Sequence, residues 1–330
     1  MNIKKQIFKM AQQDAKTLVF PEAGYSNRIV EAVRIGTSKN LFKAILLGDE
    51  SEMFLKHGSL ANENIEIINY EKSNLKETFA KEIFQLRQHK GLTEQQALDL
   101  IENPFYFACM LVRDGYADGM VSGVENTTAQ TFRPALELIK GQQPNTLIST
   151  TELFFGRNRA LKNKPIFVSD CALVENPTAE GLVEIAKNSV DLWRMLFIEE
   201  PKVAFLSYST NKSADSESIN KMREATELFK KRYPDVIADG EMQLDTAINP
   251  TISLKKFPDN KIKGEANILI VPDINSGSIL AKSLQIISGL TCVGPISQGF
   301  SRPINDCARS SSVEEILLLS AITSIQSQLD

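Results

Sequence analysis

Short apolar runs rich in β-branched residues alternate along this chain with segments of helical period, and that alternation restricts it to an α/β fold. Thr17–Phe20 reads as a strand, Arg28–Thr37 as a helix and Ala44–Leu47 as a strand, with Ile65–Ile68 preceding the helical stretch Leu75–His89. Residues 93 to 140 are mainly helical around a short strand, Gly119–Ser122, and the helix after it includes Arg133 and Pro134. Gly141-Gln-Gln-Pro-Asn145 is a polar, turn-rich break. Beyond it strands are expected near Thr146–Leu153, Ile166–Ser169, Lys202–Leu206, Val236–Ala238, Asn267–Val271 and Thr291–Pro295. Helices near Thr178–Trp193, Ser216–Tyr233 and Ser276–Ile287 separate most of them.

At 330 residues the chain exceeds one ordinary core, so the break marks a domain boundary and the expected picture is two α/β domains with a cleft between them. The final helix, from about Val313, has no strand after it. Folding it back onto the first domain divides the chain into 1–143 with 301–330 and 144–300, and brings the loop 296–312 to the interdomain cleft.

Lys and Arg number 37 against 41 Asp and Glu, a net charge of -4, so a nucleic-acid partner is not expected and a polyanionic ligand has to be held by local basic groups. Cys109, Cys171, Cys292 and Cys307 lack C-x-x-C spacing, which points to a reducing cytoplasm rather than a disulfide framework. The basic N-terminus has no continuous apolar segment and no stretch approaches the ~20 apolar residues of a membrane span, so neither export nor a membrane is expected. The two histidines, His57 and His89, stand outside any zinc or triad motif, no metal site is expected, and no G-x-G-x-x-G follows the early strand.

The chemistry concentrates near the C-terminus. A loop punctuated by Gly and Pro carries Asn305, Asp306 and Arg309 into Ser312-Val-Glu-Glu315, which has capping-box spacing, and Ile316, Leu317, Leu319 and Ile322 follow as the apolar face of an amphipathic helix. Arg309 ahead of a helix N-terminus suits a phosphate or an oxyanion. Three further loops follow expected strands and precede helices, where open α/β sheets bind ligands. In the first, Ser207–Ser213, the hydroxyls of Ser209, Thr210 and Ser213 and the charge of Lys212 suit phosphate; as an alternative they are ordinary helix-capping residues. The second holds Asp239, Glu241 and Asp245, and the third, Pro272–Ser278, holds Asn275 and Gly277.

Several segments, in order over essentially the whole chain, resemble the phosphate acetyl/butyryltransferase family in its short form. They are Lys90-Gly-Leu-Thr93, Ala117-Asp-Gly-Met-Val-Ser-Gly123, Arg133-Pro-Ala-Leu136, Asn176-Pro-Thr-Ala179, Asp239-Gly-Glu-Met-Gln243 and the C-terminal motif. The resemblance implies two α-β-α sandwich domains with a cleft between them, as in isocitrate and isopropylmalate dehydrogenases, commonly in a homodimer. It implies CoA, acetyl phosphate and inorganic phosphate as partners, with CoA or acetyl-CoA as substrate and no tightly bound cofactor. In the implied reaction a carboxylate base deprotonates the CoA thiol, and the thiolate attacks the carbonyl carbon of acetyl phosphate.

By the same resemblance Arg309 is the catalytic arginine, and Arg87 and Arg133 match two further functional arginines. Ser209, Thr210, Lys212, Ser213, Asn275 and Gly277 are the other expected substrate-binding residues. Glu315 stands where the family's proposed base is Asp, and Asp306 is the alternative base. Glu315 is also the third residue of the capping box, where the helix N-terminus stabilises its anion and lowers its basicity. Other departures are Ala308 for the usual Ser, Ser310 for the usual Gly, and Asn211-Lys212 for the usual Lys-Gly. These departures leave open an inactive acetyl-CoA-binding regulatory module, and a phosphate butyryltransferase, set apart by the volume of its acyl pocket, is the nearby alternative.

Overall fold

The computed structural model describes residues 3–60, 62–143 and 146–328. Pro144 and Asn145 of the expected break lie outside them. In chain order the first elements are α1 (Ile3–Ala11), β1 (Thr17–Phe20), α2 (Asn27–Ser38), β2 (Lys43–Leu47), α3 (Glu50–His57) and β3 (Ile65–Ile68). Then come α4 (Lys76–Arg87), α5 (Glu94–Ile101), α6 (Pro104–Arg113), β4 (Gly119–Ser122) and α7 (Thr128–Leu138). They are followed by β5 (Ser149–Phe155), β6 (Ile166–Ser169), α8 (Ala179–Leu196), β7 (Lys202–Leu206), α9 (Glu217–Arg232) and β8 (Ile237–Met242). The last are α10 (Leu244–Ile248), α11 (Pro250–Lys256), β9 (Ile268–Ile270), α12 (Ile274–Lys282), β10 (Thr291–Gln298), β11 (Ile304–Asp306) and α13 (Val313–Gln326).

The chain forms two compact units, Met1–Pro144 with Phe300–Asp330, and Asn145–Gly299. The first holds a parallel sheet in the order β11-β4-β1-β2-β3. Successive strand residues point to opposite faces, so the complete burial of Leu18, Val19 and Phe20 in β1, and of Met120 and Val121 in β4, requires that both faces be covered. The second unit holds a six-stranded sheet, β10-β5-β6-β9-β7-β8, in which β5 runs antiparallel to both β10 and β6 and the remaining pairs are parallel. Phe167 and Val168, and all of β9, are likewise buried on both faces.

Two sequence expectations are corrected. The segment expected as the loop 296–312 contains β11, which pairs in register with β4, Asn305 opposite Val121 and Asp306 opposite Ser122. In addition, α13 is not amphipathic. Every residue from Ile316 to Ile325 is buried, because α1, α2, β1, β4 and β11 surround it. Its polar residues fit there by bonding back to the helix: Ser320 Oγ donates to the Ile316 carbonyl and Thr323 Oγ1 to that of Leu319, both at 2.8 Å. Its expected capping box is present, as are capping boxes at Thr93–Gln96 before α5 and Thr127–Gln130 before α7.

The second unit's core includes an aromatic cluster in which Phe167 meets Trp193 edge-on at 5.2 Å between ring centroids, and Trp193 lies 4.5 Å from Phe197. Phe167→Ala should therefore cost about 3–5 kcal/mol. Trp193 is the chain's one tryptophan, so a denaturant titration followed by its fluorescence reads this unit. An unchanged midpoint would show that Phe167 is not part of the stabilising core.

Candidate active site

In the first unit, the C-terminal ends of three neighbouring parallel strands carry the loops of interest. The chain leaves β1 through Glu22, which is fully buried. Its carboxylate accepts from Val124 N at 2.9 Å, Glu125 N at 3.1 Å and Asn126 Nδ2 at 2.6 Å, and so shapes the turn after β4. From the first turn of α2, the Arg28 guanidinium donates to the carbonyls of Arg309 and Ser311, each at 2.8 Å, and of Val124 at 2.9 Å. It also reaches Glu125 Oε1 at 3.1 Å. One planar fork thus ties the turn 123–126 to the loop that follows β11, a geometry a lysine ammonium does not reproduce.

Asp306, at the end of β11, is fully buried. Its two carboxylate oxygens accept from Thr131 Oγ1 and Thr128 Oγ1, both at 2.7 Å, pinning the start of α7 to the strand. Gly123 has φ +89, and a Cβ there would lie 2.0 Å from Asp306 Oδ1, so only glycine fits. Asn305 is buried as well, donating to Thr323 Oγ1 at 2.8 Å and Gln326 Oε1 at 2.7 Å in α13. Arg309 sits four residues before the start of α13. Its side chain is exposed, with no hydrogen bond or ion pair to the described residues, while its carbonyl is held by Arg28. Glu315 is half-buried, and its Oε2 accepts from Ser312 N at 2.8 Å and Ser312 Oγ at 3.0 Å.

Arg87, the last residue of α4, and Arg133, in α7, are brought together by Glu137. Arg87 Nη2 lies 3.5 Å and Arg133 Nε 3.3 Å from Glu137 Oε1, and Tyr106 in α6 donates to Oε2 at 2.8 Å. Burial, with Glu137 alongside, pushes the Tyr106 phenol well above its ordinary range, so the phenol keeps its proton and remains a donor.

In the second unit the loop 207–214 is organised around Glu241, which is 2% exposed. That carboxylate accepts from Ser209 Oγ at 2.8 Å, Lys212 N at 2.9 Å, Arg223 Nε at 2.9 Å and Arg223 Nη2 at 3.1 Å. Ser213 Oγ accepts from Thr210 N at 3.0 Å, and Thr210 Oγ1 accepts from Gln243 N at 2.9 Å. The expected binding hydroxyls of Ser209, Thr210 and Ser213 are therefore engaged within the loop, and the exposed Lys212 keeps its ammonium at the surface. Asn211 and Lys212 have φ of 50° and 65°, the left-handed region, which at Lys212 favours the glycine that the family pattern has in that place.

At the start of α12, Asp273 caps the helix by accepting from Ser276 N at 2.9 Å. Asn275 is exposed. Gly277 is buried where a Cβ would meet the Asp170 carbonyl at 2.2 Å, so it permits a close packing of helix on loop. Lys221 Nζ donates to Asn176 Oδ1 at 2.7 Å and to the Pro272 carbonyl at 2.8 Å, joining the loop after β6 to the loop after β9.

Sequence reasoning named the arginines but missed Arg28, Glu22, Glu137 and Arg223, and it treated Glu241 as one loop carboxylate among several. The signal for Glu137 was present, since Arg133 and Glu137 are spaced i,i+4 on one helix. The others act across 18 or more residues of sequence, and no local pattern marks them.

All four cysteines are free and buried; burial pushes the thiols of Cys109, Cys171 and Cys307 far up, which leaves them unsuited to act as nucleophiles. Among the described residues no group of three His, Cys, Asp or Glu side chains is arranged to hold a metal ion, and no helix is long and apolar enough to cross a membrane.

One parallel and one mixed sheet, each packed between helices, define the class, an α/β protein, and it carries an open arginine ahead of a capped helix and an arginine pair on one carboxylate. The chain belongs to the phosphate acetyl/butaryl transferase family, whose model matches residues 2–324. It is 38% identical over 329 residues to a phosphate acetyltransferase of Acetivibrio thermocellus, covering 99% of each chain. Among solved structures, a phosphotransacetylase from Streptococcus pyogenes is 34% identical with a TM-score of 0.91, and all of both chains is covered. A 4-hydroxythreonine-4-phosphate dehydrogenase from Klebsiella pneumoniae, 12% identical with a TM-score of 0.51, shares the fold over 94% of this chain and 98% of its own.

The Glu241 carboxyl is held below its usual range: burial opposes its ionisation, and the Arg223 fork, the Ser209 hydroxyl and the Lys212 N–H outweigh that. Its contribution to stability is complete above the unfolded carboxylate range, about pH 4.3, and is lost as the pH falls through the lowered value. Glu241→Gln should thus destabilise the protein by about 3 kcal/mol at neutral pH. The gap from wild type should close in thermal melts taken at successively lower pH below 4. A gap that stays constant from pH 7 to pH 3 would show that the carboxylate's charge is not what holds the loop.

Proposed function

We propose that this chain is a phosphate acetyltransferase, interconverting acetyl-CoA plus phosphate with acetyl phosphate plus CoA. The observation that carries the reading is Arg309, an exposed guanidinium whose backbone is fixed by Arg28, within a family match of nearly full length. In the direction of acetyl-CoA formation, the CoA thiol loses its proton to a base and the thiolate sulfur bonds to the carbonyl carbon of acetyl phosphate. The bond from that carbon to the bridging oxygen then breaks, and phosphate leaves with the electron pair. Negative charge builds on the carbonyl oxygen and on the departing phosphate. A guanidinium already in place stabilises it without reorganisation cost.

Glu315 is the better candidate for the base. The competing carboxylate, Asp306, is fully enclosed and has a threonine hydroxyl on each oxygen. Proton transfer from a thiol of pKa about 8.5 to a carboxylate needs a cationic neighbour to lower the thiol's value, and Arg309 is suited to that role. Arg87 and Arg133 are proposed to bind a phosphate group of the substrates. Lys212, exposed in its loop, and Asn275, exposed in the first turn of α12, are proposed as further contacts, with Ser209, Thr210 and Ser213 as the framework that shapes the loop and Gly277 as the close packing point of the helix. The two compact units are proposed as its domains, CoA as a substrate rather than a bound cofactor, and a cytoplasmic homodimer as the working form. The four free, buried thiols support a reducing compartment.

Purified protein incubated with CoA and acetyl phosphate should form the thioester, and no thioester above the uncatalysed rate would overturn the reading. Arg309→Ala should lower kcat/KM by ~100-fold or more; a near-wild-type value would remove Arg309 from the mechanism. Glu315→Gln separates two roles, because Gln also serves at the third position of a capping box. The fold should survive and turnover should fall by about 100-fold or more if the carboxylate is the base. Unchanged turnover would leave Glu315 as a helix cap.

A further inference from the structure

Glu137 lies where three helices meet. Arg87 ends α4, Tyr106 lies in the first turn of α6, and α7 supplies both Arg133 and Glu137 itself. The Glu137 side chain is 17% exposed, whereas that of Arg133 is 75% exposed, so the carboxylate holds the guanidinium from its inner side and leaves most of it open. The separations of 3.3 and 3.5 Å are longer than the ~2.7–2.9 Å of a tight charge-assisted pair. Neither guanidinium is saturated by this contact. Arg87 Nη1 also points to the Glu137 carbonyl at 3.4 Å, and Tyr106 fixes the second carboxylate oxygen at 2.8 Å. Arg87 and Glu137 are only 18% and 17% exposed, so the cost of taking both charges out of water offsets much of their attraction and the pair is a weak source of stability. What it does accomplish is to bring two like charges side by side, which would otherwise repel, in an orientation set by a buried tyrosine.

We propose that Glu137 is a positioning residue, which holds Arg87 and Arg133 together so that both present donors to one phosphate group of a substrate. The inference rests on the reading of these arginines as substrate-binding groups. The ligand chemistry is a phosphate, carried either by CoA or by acetyl phosphate. Glu137→Gln keeps the side-chain shape and an acceptor for Tyr106, but removes the charge that offsets the two guanidinium groups.

In steady-state assays with each substrate varied against a saturating second one, this variant should raise KM about three- to tenfold, with kcat changed less than about twofold. A rise confined to CoA identifies a CoA phosphate as the group held; a rise confined to acetyl phosphate identifies the phosphate being transferred. Glu137→Asp should recover part of the loss, and Tyr106→Phe should raise the same KM by a smaller factor. A merely structural role would lower the melting temperature and leave both KM values in place, and that result overturns the proposal. A lower KM also overturns it, because the carboxylate would then be competing with substrate. Arg87→Ala and Arg133→Ala are measured alongside. If they raise KM while Glu137→Gln does not, only the role of Glu137 fails; if neither moves any KM, the reading of the arginines fails and takes this proposal with it. Should Glu137→Gln not fold, Tyr106→Phe decides, and unchanged KM values there overturn the proposal.

Discussion

A carboxyl group taken out of water is costly unless donors surround it, and at four places this chain supplies those donors from its own loops and adjoining helices. Glu22 collects the N–H groups of Val124 and Glu125, Asp306 the hydroxyls of Thr128 and Thr131, and Glu241 the Ser209 hydroxyl, Lys212 N–H and Arg223 fork. Asp170 collects Thr150 N and Oγ1 together with the N–H groups of Ala172, Leu173 and Val174. At Glu22, Asp170 and Glu241 a loop converges on the acceptor, so its shape follows from the need to satisfy the buried acid, and at Asp306 it is the start of α7 that is drawn in. The electrostatic outcome differs with the partners. At Asp170, where the donors are neutral, burial prevails and the carboxyl is raised, whereas the Arg223 guanidinium helps turn the balance the other way at Glu241.

In the first unit this constraint acts where parallel strands end. Because β1, β4 and β11 are neighbours running in one direction, the segments leaving them emerge at one edge of the sheet. Glu22, the turn 123–126 and the segment 307–311 are therefore close enough for a single arginine, Arg28, to bridge the latter two. The three-residue β11 places Arg309 at that edge, and the burial of α13 on all sides holds the far end of the segment in place. The exposure of the Arg309 side chain thus depends on a rigid backbone beneath it, and a group meant to meet a developing charge gains most from such a support.

Elements with strong local signals were legible in the sequence. β1, β4, β6 and β7 lie where apolar, β-branched runs indicated them, and the capping box of α13 follows from Ser312 and Glu315 three residues apart. β11 was not legible, since Ile304-Asn-Asp306 has no alternating or continuous apolar pattern. It is a strand because β4 offers it a ladder. Nor did the pattern of α13 reveal how many neighbours it has: Ser320, Thr323 and Ser324 are polar, yet they are buried. At the candidate site the arginines stood out as charged residues in recognisable motifs. Their supports did not, because Arg28, Glu22, Arg223 and Tyr106 reach partners distant in sequence.

The sequence by itself determined the alternation of strands and helices and the helix caps, because these rest on periodicity and on contacts within a few residues, and it carried the family in motifs that follow one another along the whole chain. Only the tertiary structure decided which carboxylates are buried as loop organisers, which arginines are held and which is open, and that a segment resembling a loop is the edge strand of a sheet. Burial and hydrogen-bond partnership at those positions belong to pairs of residues brought together by folding, and neither member of such a pair carries the information alone.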